Sequence, residues 1–164
     1  MELPKSNRGF TLIELVVVIG VLSVLLAIVL VAINPARQFA QANNTQRRSD
    51  VSALLNAIHQ YAADRSGSLP AGLDATSKTI CSTGGTITCP VDSIDLCADL
   101  VPVYIADLPL DPTAGDEDPE NSVCTSSLGY DTGYTASASG AAAGNRVTIA
   151  APGAELSEVI QVTR

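Results

Sequence analysis

The sequence predicts an α+β fold in which one long N-terminal helix packs on a small antiparallel sheet. Three observations predict it. A near-continuous apolar run, Phe10 to Ile33, opens the chain. Apolar positions then recur at helical spacing from Val51 to Ala62. Late in the chain, Gly129–Ala136, Arg146–Ala151 and Val159–Thr163 alternate apolar residues with Thr, Tyr and other polar ones, as half-buried strands do. At 164 residues there is room for one globular domain of ordinary size.

The apolar run comes first in order. Its charge is confined to Glu14, and the uninterrupted stretch from Leu15 to Ile33 is 19 residues long. That is close to the ~20 residues a helix needs to cross a bilayer. A cleaved secretory signal peptide has a shorter core followed by a small-x-small site, whereas Asn34-Pro35-Ala36-Arg37 follows here. A plain transmembrane anchor explains the hydrophobicity but not the carboxylate. An acidic group at membrane depth costs about 2.5–3.5 kcal/mol on an insertion scale, so it marks a functional site with a partner.

Beyond the run, Val51, Leu54, Leu55, Ile58, Tyr61 and Ala62 form one face of an amphipathic helix, with Phe39 earlier on it. Gly67 and Pro70 end this helix, and Asn34-Pro35 is expected to kink it. Residues 66–90 read as a connecting loop. Asp92 or Ser93 is expected to cap a short helix through Leu100, with Leu96 and Leu100 facing inward and Pro102 ending it. Ser137 to Asn145 and Pro152-Gly153 read as the turns between the late strands.

Charge is unevenly placed. Lys5 and Arg8 precede the apolar run, and Arg37, Arg47, Arg48 and Arg65 follow it. Between Lys78 and Arg146 no Lys or Arg occurs, while acidic residues accumulate. A base-free acidic surface repels phosphate, so no nucleic-acid partner is expected. One His, His59, no Gly-rich phosphate loop and no nucleophile with a placed base leave no catalytic constellation to assign.

Arg8-Gly9-Phe10-Thr11-Leu12-Ile13-Glu14, followed by the apolar helix, resembles the type III signal sequence of type IV prepilins and type II secretion pseudopilins. The likeness is specific over roughly the first 65 residues. It implies the pilin fold, a leader of residues 1–9, a filament-core and membrane helix at 10–34, the amphipathic half of that helix at 35–66, and a loop plus sheet at 67–164. Residues 35–164 would form the globular domain. It implies cleavage between Gly9 and Phe10 by a membrane aspartic prepilin peptidase, which also N-methylates Phe10. Gly9 lets an extended scissile segment enter a tight site, and Lys5 and Arg8 hold the leader on the cytoplasmic face. Glu14 would pair with the new Phe10 ammonium of a neighbouring subunit and set the axial register.

The resemblance further implies a structural subunit, with identical or related pilin subunits and a pilus assembly platform as partners. It implies residence in the inner membrane before assembly, with the C-terminal domain outside the cytoplasm, and then an extracellular filament. The leading expectation is a type IV pilus subunit. Leu108-Pro109-Leu110-Asp111-Pro112 resembles a turn of major pseudopilins, which makes a type II secretion pseudopilin the alternative.

Cys81, Cys89, Cys97 and Cys124 all lie on the side where disulfides persist. Of the three pairings open to four cysteines, Cys81 with Cys89 and Cys97 with Cys124 is the expected one. Gaps of seven, seven and twenty-six residues lack the close Cys pair of a zinc site. No cofactor is expected. The acidic loop holding Asp111, Asp116, Glu117, Asp118 and Glu120 has the hard oxygen donors that calcium takes, and Asp111, Asp116 and Asp118 are its candidate ligands; the spacing is not that of an EF-hand.

Overall fold

A computed structural model describes residues 9–116, 123–125, 128–140 and 144–164, apart from the side chains at 31 and 32. The chain divides into two compact units, residues 1–39 and 40–164.

In the first unit, α1 runs from Leu12 to Ala32. Thr11 is its N-cap: the hydroxyl oxygen accepts a hydrogen bond from the Glu14 N–H at 3.3 Å. Ser23 satisfies its own hydroxyl by donating back to the carbonyls of Ile19 and Gly20. The expected kink is a break. Asn34 adopts φ +38°, its side chain accepts from the Arg37 N–H, and α2 starts at Pro35. Asn is tolerated in left-handed backbone, and Pro is pre-organised for the first helical position, so the dipeptide ends one helix and begins the next.

α2 continues to Asp64. Ser66 and Gly67 take positive φ, and the Gly67 N–H reaches the Ala62 carbonyl at 2.7 Å, closing the helix with a Schellman turn. Val51, Leu54, Leu55, Ile58 and Tyr61 are buried, as the spacing predicts, while Phe39 is exposed.

The second unit is built on a five-stranded sheet in the order β2-β1-β3-β4-β5. Its strands are β1 (Lys78–Thr83), β2 (Ser93–Ile94), β3 (Gly129–Ala138), β4 (Val147–Ala151) and β5 (Ile160–Thr163). β1 corrects the loop reading of residues 66–90. Its register with β3 shifts between Thr79 and Cys81, so Ile80 and Cys81 are buried consecutively and period 2 is lost. β2 pairs parallel to β1, the single departure from antiparallel pairing among the described strands. It also takes Ser93 out of the expected helix. What remains is the single turn α3 (Cys97–Leu100), whose entry is fixed by Asp95 accepting the Cys97 N–H.

The apolar face of α2 shares one core with Ile80, Leu96, Leu100, Tyr134, Val147 and Ile149, each with no exposed surface. Tyr134 also donates its hydroxyl to Asp50 of α2 at 2.8 Å. The architecture is α+β and pilin-like, a helix packed on a small, mostly antiparallel sheet.

Candidate functional site

The N-terminal segment carries the strongest chemistry. Gly9 and Phe10 lie outside the helix, and among the described residues nothing beyond its chain neighbours comes within 4 Å of a Cβ built on Gly9. Phe10 is 88% exposed. The α1 backbone begins two residues on, and Glu14 falls in its first turn, where the positive end of the helix favours a carboxylate. From Leu12 to Leu30 the helix has a mean hydropathy of 3.0, and none of it is buried among the described residues. At 1.5 Å per residue this stretch is about 28 Å long, close to the ~30 Å hydrocarbon core of a bilayer. A helix that is apolar on all sides needs lipid or other helices around it.

A second polar centre lies inside the globular unit. Arg47, on α2, is fully buried. Its Nε donates to Asp111 Oδ2 at 2.7 Å and its Nη2 to Asp111 Oδ1 at 2.9 Å, a bidentate pair. The remaining guanidinium donors go to Thr113 Oγ1, Asn44 Oδ1 and Glu155 Oε2. Asp111 also accepts the backbone N–H groups of Thr113 and Ala114. Burial alone would raise its carboxyl pKa, but the hydrogen bonds from Arg47, Thr113 and Ala114 hold it at about 2. The same pairing, against the opposing effect of burial, raises Arg47 further above its ordinary value. Room for the carboxylate depends on two glycines: a Cβ on Gly133, at φ +74°, would lie 2.7 Å from Asp111 Cβ, and one on Gly153 would lie 3.0 Å from Oδ2. Asn44 adds a reciprocal pair with the Glu155 backbone, its amide donating to the carbonyl and its oxygen accepting the N–H, both at 2.9 Å. One cation and one amide on α2 thus fix both the turn after β2 and α3 and the β4–β5 loop.

This changes the place of the candidate calcium ligands. Both oxygens of Asp111 are spent on Arg47, and a cation would have to displace that guanidinium to reach them. Asp116 pairs backbone to backbone with Asp131 beside β3. Asp118, with Glu117 and Glu120, lies outside the described residues. The leader residues Lys5 and Arg8 lie outside them as well.

Cys81 is bonded to Cys89, and Cys97 to Cys124. The first bridge fastens the Gly84-Gly85 loop to β1. The second ties α3 to the turn at Val123–Thr125, which Asp107 also holds by accepting the Val123 N–H at 3.1 Å.

Two participants escaped the sequence reading. Thr11 had a local signal, the Thr-x-x-Glu pattern of a capping box ahead of an apolar run. Arg47 had none: it sits in the polar stretch of α2, 64 residues from its partner.

Residues 4–30 match the family model of the prokaryotic N-terminal methylation motif. No curated protein and no solved structure matches the chain significantly. The motif indicates a type IV pilin-like or pseudopilin precursor, which points to a structural subunit. Together with the apolar helix it fits a membrane-anchored precursor that is processed by prepilin peptidase and assembles with pilin subunits.

Proposed function

We propose that this chain is the precursor of a type IV pilus subunit, cleaved between Gly9 and Phe10, N-methylated on Phe10 and assembled into a filament through α1. The observation that carries the reading is the uncovered apolar helix with Glu14 in its first turn, directly behind an exposed Gly-Phe bond. In the precursor the membrane surrounds α1; in the filament the same helices of other subunits replace the lipid. Glu14 is then matched by the ammonium of a neighbour's Phe10, which favours one register because any other leaves a buried charge unpaired. The assembly needs no cofactor.

A type II secretion pseudopilin is the second reading, supported by the Leu108–Pro112 turn. In this fold the turn serves internal packing, with Leu108 in the core and Asp111 on Arg47, so it says more about the globular domain than about the filament. The two bridged loops favour the pilus subunit.

The test is Glu14→Val in the intact precursor, with filaments sheared, weighed and imaged. The expected result is a protein that still enters the membrane but yields few or no filaments. Wild-type filament yield from Glu14→Val would contradict the assembly role.

A further inference from the structure

The helix cap at Thr11 has a consequence for processing that the motif match does not contain. Residues 9 and 10 are non-helical, Thr11 itself is extended at φ −83° and ψ 150°, and α1 starts at Leu12. The Thr11 hydroxyl oxygen holds the Glu14 N–H, one of the donors a helix N-terminus leaves without an intrahelical partner. Cap residues of this kind fix where a helix starts, because the cap geometry requires non-helical backbone at the capping residue.

We propose that Thr11 is a positioning residue for proteolytic processing: by starting α1 at Leu12 it keeps the Gly9–Phe10 peptide out of the helix, two residues clear of it, and free to extend into a binding cleft. This rests on the proposed cleavage between Gly9 and Phe10. An extended strand presents both its N–H and C=O groups to a binding cleft, whereas a helical peptide has them turned along its own axis. The run Phe10-Thr11-Leu12-Ile13 contains no Gly or Pro that would otherwise stop the helix from growing back toward the scissile bond. With the cap removed, helix and extended forms compete at Phe10, and only the extended fraction is a substrate. Peptide hydrolysis itself is unchanged: water adds across the Gly9–Phe10 bond, leaving a Gly9 carboxylate and a Phe10 ammonium.

The test uses the full-length precursor in detergent micelles with purified prepilin peptidase. Rates are compared for wild type, Thr11→Ser, Thr11→Asn and Thr11→Val. Ser and Asn both cap helices, and Asn differs from Thr in shape and hydrogen-bonding groups; Val matches Thr in shape and cannot cap. Ser and Asn are expected to keep the wild-type rate, and Val to lose about two- to three-fold in kcat/KM, with about five-fold as the limit set by a cap worth ~1 kcal/mol. Equal rates for Val and wild type would overturn the inference. So would rescue by Ser without rescue by Asn, because the peptidase would then be reading the hydroxyl itself. An uncleaved wild-type chain would instead overturn the cleavage site on which the inference rests.

Discussion

The guanidinium of Arg47 and the carboxylate of Asp111 meet in a bidentate pair with neither side chain open to solvent. Every N–H of that guanidinium has an acceptor, and no buried side-chain polar atom among the described residues lacks a partner. The pair gives the Leu-Pro-Leu-Asp-Pro turn a physical role, because the turn delivers a carboxylate to the fully buried cation on α2.

Arg47→Met should therefore destabilise the globular unit strongly. It leaves Asp111 charged and buried without its partner, a loss of about 3–5 kcal/mol for a broken buried pair. Arg47→Met combined with Asp111→Leu should recover a large part of that loss, since no orphan charge remains. Chemical denaturation of the three proteins checks this. A double variant no better than the single one would show that the turn and the β4–β5 loop depend on the ionic contact itself.

Acid should unfold the domain in a defined window. Asp111 is depressed to about 2 in the folded state, so its contribution is complete above the unfolded value near 4 and is lost as pH falls from about 4 to about 2, roughly 2 kcal/mol in all. Glu155, depressed by Asn43 and Arg47, acts in the same direction. Asp50 acts in the opposite one. Burial raises it despite the Tyr134 hydrogen bond, so its protonation adds stability as pH falls through its folded value. Melting temperature should thus hold or rise slightly from neutral to mildly acid pH and then drop steeply below about 4. In the doubly substituted protein, which lacks Asp111, the steep drop should be markedly shallower.

The two bridges should differ in weight. On the chain-entropy estimate, the bridge spanning 27 residues is worth about 3.5 kcal/mol and the one spanning 8 about 2.5. Because Cys81 is buried in β1, the short bridge is better opened at half-buried Cys89, which leaves Cys81 as a small apolar core residue. Cys124→Ser should lower the melting temperature by several degrees more than Cys89→Ser. Equal shifts would place the stabilisation elsewhere.

The parts of this structure that were legible in the sequence are those with a local period. The apolar run gave α1, the spacing from Val51 gave the buried face of α2, and β3, β4 and β5 lie within two residues of the alternating segments. β1 was not legible because its bulge buries Ile80 and Cys81 in succession within a Thr- and Ser-rich stretch that reads as loop. β2, at two residues, is too short to show any period. The N-terminal residues stand out from sequence because their chemistry is local to seven positions. Asp111 reads as a candidate calcium ligand because an acidic loop advertises oxygen donors, whereas its contact with Arg47 has no local signal, since that cation lies on another element.

The N-terminus of the mature protein tests the proposed function most directly. Protein recovered from membranes or filaments of a cell with prepilin peptidase should begin at Phe10 by intact-mass and peptide mass spectrometry, with one methyl group on its α-nitrogen. Intact residues 1–9 on the assembled protein, or a cut near Ala36 after the apolar run, would contradict it.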